Sequence, residues 1–208
     1  MKVFVEGFRK KYEEMFSNRG HEVVQSLEEA DVIQFVGGED VSPGLYGELP
    51  HPASQYSAER DLHSEMLYKK AITLDKACIG ICRGGQYLNM VNGGKMYQDV
   101  DNHAKFGTHL MYEDWTKRPI AVSSTHHQMM RPAKEGQVIC WADESTWKES
   151  VDEEGSVVRY TGGDRDVEVI FYQEARDLCF QPHPEMMDRN HECQEYYFEL
   201  LERLLGLT

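Results

Sequence analysis

The segment Cys78-Ile79-Gly80-Ile81-Cys82-Arg83-Gly84-Gly85-Gln86 constrains this chain more than any other. A short apolar run leads straight into Gly-x-Cys-x-Gly, and helix-compatible sequence begins at once. That order reads as a strand turning sharply into a helix, with a glycine two residues to either side of Cys82 relieving the crowding. A side chain at such an elbow faces the amino end of the helix, whose partial positive charge lowers a thiol pKa and favours the thiolate. The backbone N–H of Arg83 then points to where an oxyanion would form. The same residues also describe a buried core thiol behind a glycine-rich turn, because cysteine is among the most buried residue types. The elbow alone leaves both open, and a partner base is needed to decide.

Strand-like and helix-like segments alternate around the elbow. Strands are expected over 2–7, 22–25, 31–36 and 76–81, and helices over 10–18, 57–74 and 84–91. Within 57–74, Leu62, Met66, Leu67, Ala71 and Ile72 recur at helical spacing. Alternation of this kind predicts an α/β, flavodoxin-like three-layer sandwich with a mostly parallel central sheet. Its active site should lie in the crevice at the carboxyl ends of the strands. The second half reads as short strands over 120–123, 137–141, 157–160, 167–172 and 178–181. Gly162-Gly163-Asp164 and residues 174–177 look like turns between neighbouring strands. A closing amphipathic helix over 189–205 sets Cys193, Tyr197, Leu200, Leu201 and Leu204 on one face. With 208 residues, no repeat and no linker, a single domain spanning 1–208 is expected. Residues 100–118 and 141–166 carry no interpretable motif.

The net charge of −14 argues against a general phosphate-backbone binder, so no nucleic-acid partner is expected. No apolar run approaches the roughly 18–20 residues of a bilayer span. The opening Met1-Lys2-Val3-Phe4-Val5 lacks the length and cleavage site of a signal peptide, which makes the cytoplasm the expected compartment. Five scattered cysteines with no Cys-x-x-Cys pair suggest neither a disulfide framework nor a zinc ribbon.

Gln181-Pro182-His183-Pro184-Glu185 supplies the missing base, about a hundred residues beyond the elbow. Glu185 is two residues from His183, near enough to accept from the ring and hold its tautomer. The imidazole can then take a thiol proton and return it to a leaving amine.

Together, Gly80-Ile81-Cys82-Arg83-Gly84-Gly85-Gln86 and the distal His183-Pro184-Glu185 resemble the class I glutamine amidotransferase superfamily. More narrowly, they resemble the γ-glutamyl hydrolase branch that includes γ-glutamyl-γ-aminobutyrate hydrolases. Further stretches match that branch in order. These are Gly37-Gly38-Glu39-Asp40-Val41-Ser42-Pro43 with Leu45-Tyr46-Gly47-Glu48, Arg60-Asp61 with Glu65, Asn89 with the run from Gly93 to Asp99, and Ser123-Ser124-Thr125-His126-His127-Gln128. The resemblance implies a γ-glutamyl thioester on Cys82, with His183 as acid and base and Glu185 orienting it. It implies oxyanion donors from Gly38, beside Gly37, and from Arg83, and a place for Gln86 beside the glutamyl group. His126 and His127 would border the pocket on the leaving-group side.

No cofactor is implied. A metal at His126 and His127 is not expected, since adjacent histidines on a strand point apart and neither a cysteine nor a carboxylate completes a set. Arg60, Asp61 and Glu65 read equally as a solvated helix face or as an ion pair beneath the active site. Tyr97 and Trp115 read as packing residues. The chain departs from the branch in three respects. It is short, which suggests trimmed loops over the pocket. Ser123 stands where an asparagine is frequent, and Pro182 stands where an aromatic is frequent.

Three functions fit these residues. One is a self-sufficient hydrolase of small-molecule γ-glutamyl amides or glutamine. A second is a glutaminase subunit passing ammonia to a synthetase or ligase. The third is an inactive binding or regulatory relative, since fold does not fix function.

Overall fold

The computed structural model describes residues 1–7, 9–105, 107–162 and 165–207. In the first half, β1 (Lys2–Val5), α1 (Lys10–Ser17), β2 (Glu22–Val24), β3 (Val32–Phe35), α2 (Ala58–Thr73), β4 (Ala77–Ile81) and α3 (Arg83–Val91) alternate as expected. Two short strands follow, β5 (Lys95–Tyr97) and β6 (Asp99–Val100). Then come β7 (Thr108–Glu113), β8 (Pro119–Ser123), β9 (Met129–Arg131), β10 (Gln137–Ala142), β11 (Trp147–Val151), β12 (Val157–Thr161), β13 (Asp166–Tyr172), β14 (Asp177–Phe180) and the closing helix α4 (Glu192–Leu205).

Nine strands form the central sheet in the order β2-β1-β3-β4-β14-β13-β10-β7-β8. The first five are joined by parallel pairings, and the remaining neighbours pair antiparallel. β3 and β4 are buried on both faces, which is why they are short and apolar rather than alternating. One face packs against α1 and α4 through Tyr12, Met15, Phe16, Tyr196, Tyr197 and Leu200. The other packs against α2 and α3 through Ile33, Phe35, Ala71, Tyr87 and Leu88. This is the expected three-layer α/β architecture. Among the described residues no helix is long and apolar enough to cross a membrane.

Two local expectations are corrected. α2 is present and capped by Ser57, whose Oγ accepts from Arg60 N–H, but its buried face carries Asp61, Ser64 and Ala71. Of the five residues that marked the helix, Leu62, Met66 and Ile72 are largely exposed, Leu67 is partly buried and Ala71 is buried. Helical spacing found the element but not its inward face, because this helix turns polar side chains towards the active site. The other correction concerns β12 and β13, which are not neighbours: β12 pairs with β11 in a separate three-stranded sheet with β6. Gly162 has φ 78, while Gly163 and Asp164 lie outside the described residues. The turn expected over 174–177 does join neighbours, closing the antiparallel pair of β13 and β14 with Tyr172 opposite Asp177.

Candidate active site

Cys82 sits at the end of β4 with φ 51 and ψ −114, a backbone conformation that costs a non-glycine residue about 1–3 kcal/mol. The surroundings hold it there. Its N–H donates to the Phe180 carbonyl at 2.8 Å, and its own carbonyl accepts from Gln86 N–H at 2.9 Å. A Cβ at Gly80 would lie 2.3 Å from the Gly84 carbonyl carbon, and one at Gly84 would lie 2.3 Å from the Phe35 carbonyl oxygen. The elbow therefore closes only because both flanking positions lack a side chain.

The chain brings His183 and Glu185 to the same place from the end of β14. His183 Nδ1 and Glu185 Oε1 are 2.6 Å apart. Pro184 opens a short 3₁₀ turn, Pro184–Met186, that fixes their spacing. The His183 N–H donates to Ser123 Oγ at 2.7 Å, so the serine that departs from the common asparagine anchors the backbone of His183. Burial by itself would lower the His183 pKa. The Cys82 sulfur facing the ring and the Glu185 carboxylate outweigh it and bring the value up to about 10. The ring thus lies between the Glu185 carboxylate and the Cys82 sulfur.

Gly37 and Gly38 lie against this pair. A Cβ on Gly37 would meet His183 Cε1 at 2.7 Å and Cys82 Cβ at 3.6 Å. Gly38 has φ 143, a region reserved for glycine, and a Cβ there would meet the Arg60 guanidinium. Arg60 Nη2 donates to the Val36 and Gly37 carbonyls at 3.1 and 2.7 Å. Tyr12 on α1 was not read from the sequence. Its hydroxyl accepts from Gly37 N–H at 2.9 Å and stands beside Glu185, and burial, followed by that carboxylate's charge, raises its pKa. An aromatic on the inner face of a short amphipathic helix carries no signal that separates this position from ordinary packing.

The two alternatives for Arg60, Asp61 and Glu65 divide between the residues. Asp61 Oδ1 accepts from Arg83 Nη2 at 2.6 Å, with both side chains almost fully buried, and Arg83 Nη1 donates to Ser64 Oγ at 2.6 Å. This is an ion pair directly beneath the elbow. Glu65 is exposed and pairs along the helix with Lys69 at 2.5 Å.

Cys82 separates two clefts. One, of about 570 Å³, is lined by Arg9, Lys10, Lys11, Tyr12, Gly37, His183, Glu185 and Met186. The other, of about 360 Å³, is lined by Glu39, Asp40, Gln55, Gln86, His126, His127 and Gln128. Gly38 and Thr125 border both. Gln86 and the two histidines, expected on opposite sides of the scissile bond, thus share one cleft. Gln86 Nε2 donates to Gln181 Oε1 at 3.3 Å. His127 is half-buried between Asp40 at 3.2 Å and Asp99 at 3.5 Å, and the Asp40 hydrogen bond raises its pKa.

His126 borders the smaller cleft only by a small exposed edge. Its ring is buried and turned inward, with Nδ1 3.0 Å from the Gln128 carbonyl and Nε2 3.7 Å from Glu168 Oε1. His103 and His109 converge on the same carboxylate. The expectation that nothing completes a metal-binding set around His126 is therefore corrected. The companions come from β7 and the segment before it, where the sequence carries no recognisable motif, and from β13, which was read as a strand but not as part of a site.

The peptidase C26 family matches residues 15–185 of this chain. A putative glutamine amidotransferase-like protein from Lactococcus lactis, YvdE, is 28% identical over 92% of this chain and 86% of its own length. Protein NtpR from Enterococcus hirae is 38% identical over 38% of this chain, and the match spans only 34% of NtpR. The crystal structure of a putative GMP synthase subunit from Thermoplasma acidophilum superposes with a TM-score of 0.64, at 12% identity, covering 99% of this chain and 94% of that one. The fold, with these matches, defines a hydrolase-type protein of the class I glutamine amidotransferase-like superfamily. Within it, the chain belongs to the peptidase C26 family.

Proposed function

We propose that this chain hydrolyses γ-glutamyl amide bonds through a thioester on Cys82, releasing glutamate and an amine, without help from another protein. The observation that carries the reading is the placement of His183 between Glu185 and Cys82, where two clefts meet. The Cys82 thiolate attacks the γ-carbonyl carbon, forming the C–S bond and a tetrahedral oxyanion. Backbone N–H groups of Gly38 and Arg83 would stabilise that charge. Collapse breaks the C–N bond as the His183 imidazolium gives its proton to the departing amine. A water then attacks the thioester carbon, losing its proton to His183, and glutamate leaves as Cys82 is restored.

The cleft holding Gln86, Gln55 and His127 suits the polar glutamyl group. The opposite mouth is bordered by Arg9, Lys10 and Lys11, which favours a leaving amine bearing an acidic group. The test is glutamate release by the purified chain from glutamine and from γ-glutamyl amides whose amines are acidic, neutral or basic. Release that is fastest with acidic amines and absent in Cys82→Ala is expected. A second reading, an ammonia-delivering glutaminase, draws on the likeness to a protein described as a putative GMP synthase subunit. Silence of the folded chain with every amide would move the reading there.

A further inference from the structure

Below the smaller cleft, three imidazoles meet one carboxylate oxygen. Glu168 Oε1 lies 3.0 Å from His109 Nε2, 3.4 Å from His103 Nδ1 and 3.7 Å from His126 Nε2. His103 and Glu168 are fully buried, and His126 and His109 expose 3% and 7% of their surface. Hydrogen bonds on the far side of two rings set their tautomers. Asp166 accepts through Oδ2 from Glu144 N–H and Ser145 N–H at 2.9 and 2.8 Å, and through Oδ1 from Lys148 at 2.9 Å. That carboxylate is an acceptor, so His103 Nε2, 2.9 Å from Oδ2, carries the proton. The Gln128 carbonyl can only accept, so His126 Nδ1 carries its proton too.

With both rings neutral, their remaining lone pairs face the Glu168 carboxylate, whose Oε1 is also 3.0 Å from His109 Nε2. His103 Nδ1, His126 Nε2 and Glu168 Oε2 make no hydrogen bond among the described residues. Buried acceptors left facing one another in this way repel, and a cation between them removes the repulsion. Carboxylate and carbonyl partners behind metal-bound imidazoles are the usual outer support of such a site.

We propose that His103, His109, His126 and Glu168 form a closed four-ligand site for one divalent transition-metal ion of the zinc class. Bonds of about 2.0–2.1 Å to nitrogen and oxygen in a tetrahedron place neighbouring donors roughly 3.3 Å apart. The three oxygen–nitrogen contacts of 3.0, 3.4 and 3.7 Å bracket that spacing, and all four donor atoms lie within 4.8 Å of one another. Three imidazoles favour Zn²⁺ or Co²⁺ over oxygen-seeking Mg²⁺ and Ca²⁺. Four protein donors leave no open position, so the ion is structural rather than catalytic. It ties β7, β13 and the segment before β7 to the loop that presents His127 and Gln128 to the cleft. His126 also borders that cleft, which provides the path of entry.

The test treats the purified full chain with a chelator, removes the chelator and titrates with Co²⁺ under anaerobic, reducing conditions. One equivalent should bind, with visible d–d bands of tetrahedral intensity and no sulfur charge-transfer band, and should be displaced by Zn²⁺ with a rise in Tm. Glu168→Gln and His109→Gln should each weaken binding at least about tenfold. His51→Gln, in a second cluster of His51, Asp99 and Glu149, should leave it unchanged. Failure of the wild-type chain to bind either ion overturns the site, whether or not the variants fold. Retention of a full equivalent at unchanged affinity in both ligand variants, or a spectrum of thiolate ligation, overturns it equally.

Discussion

Two assemblies of histidine and glutamate flank the clefts that meet at Cys82, His183 and Glu185 lining the larger and His126 the smaller, and they are built differently. Beside Cys82, a single imidazole sets one nitrogen 2.6 Å from Glu185 and lines the larger open cleft with the rest of its ring. Around Glu168, three rings crowd one carboxylate and every ring is buried. The residue types are nearly the same. What differs is access: His183 lines an open cleft, whereas the rings around Glu168 face one another in the interior. Access and proton placement, more than composition, decide whether such a group transfers protons or holds a cation.

The sharpest break of that contrast is Cys82→Ala. Removing the nucleophile should lower glutamate release by a factor on the order of 10⁴ or more, with the far-ultraviolet circular dichroism unchanged. Glu185→Gln comes next, with a fall in kcat of about 10²–10⁴-fold, since the imidazolium loses its orienting charge. It should also move the pH profile. His183 must stay protonated to release the amine, so the alkaline limb of kcat/KM in the wild type falls near pH 10. In Glu185→Gln it shifts down towards the ordinary imidazole value of about 6.5. The linkage sign agrees: a raised native pKa gives stability that is complete below about pH 6.5 and lost as pH rises to about 10.

Much of this contrast was legible in the sequence, but unevenly. The triad could be read because each member sits in a short, local pattern: glycines two residues either side of Cys82, and prolines flanking His183. The parallel half of the sheet was legible for a similar reason, since β1, β3 and β4 are compact apolar runs between helices. The Glu168 cluster is spread over residues 103 to 168 and is assembled only by pairing in the antiparallel half. The relevant strand, Thr108–Glu113, reads simply as mixed polar sequence. Polar burial hid other features. Asp61 and Ser64 face inward on α2 to meet Arg83, so apolar periodicity alone located the helix without giving its buried face. Tyr12 and Ser123 act through one hydrogen bond each, to Gly37 and His183, which no spacing announces.

Two smaller perturbations test the supports beneath the triad. Arg83→Met leaves Asp61 charged and buried without its partner, and should cost about 3–5 kcal/mol in urea denaturation. Adding Asp61→Asn should recover part of that loss. Tyr12→Phe removes the acceptor for Gly37 N–H, an interaction of about 0.5–1.5 kcal/mol. It should lower kcat by about tenfold at most with KM nearly unchanged and Tm down by only a few degrees. A fall in Tm with kcat unchanged would mark this hydrogen bond as structural alone.

The most direct measurement is mass spectrometry of the intact chain and its peptides after exposure to an irreversible glutamine analogue. Thioester chemistry at the elbow predicts one adduct per chain, on the peptide carrying Cys82 and not on those carrying Cys78, Cys140, Cys179 or Cys193, and none in Cys82→Ala. An unmodified Cys82 in the folded protein at saturating analogue, or an adduct on another cysteine, would contradict it.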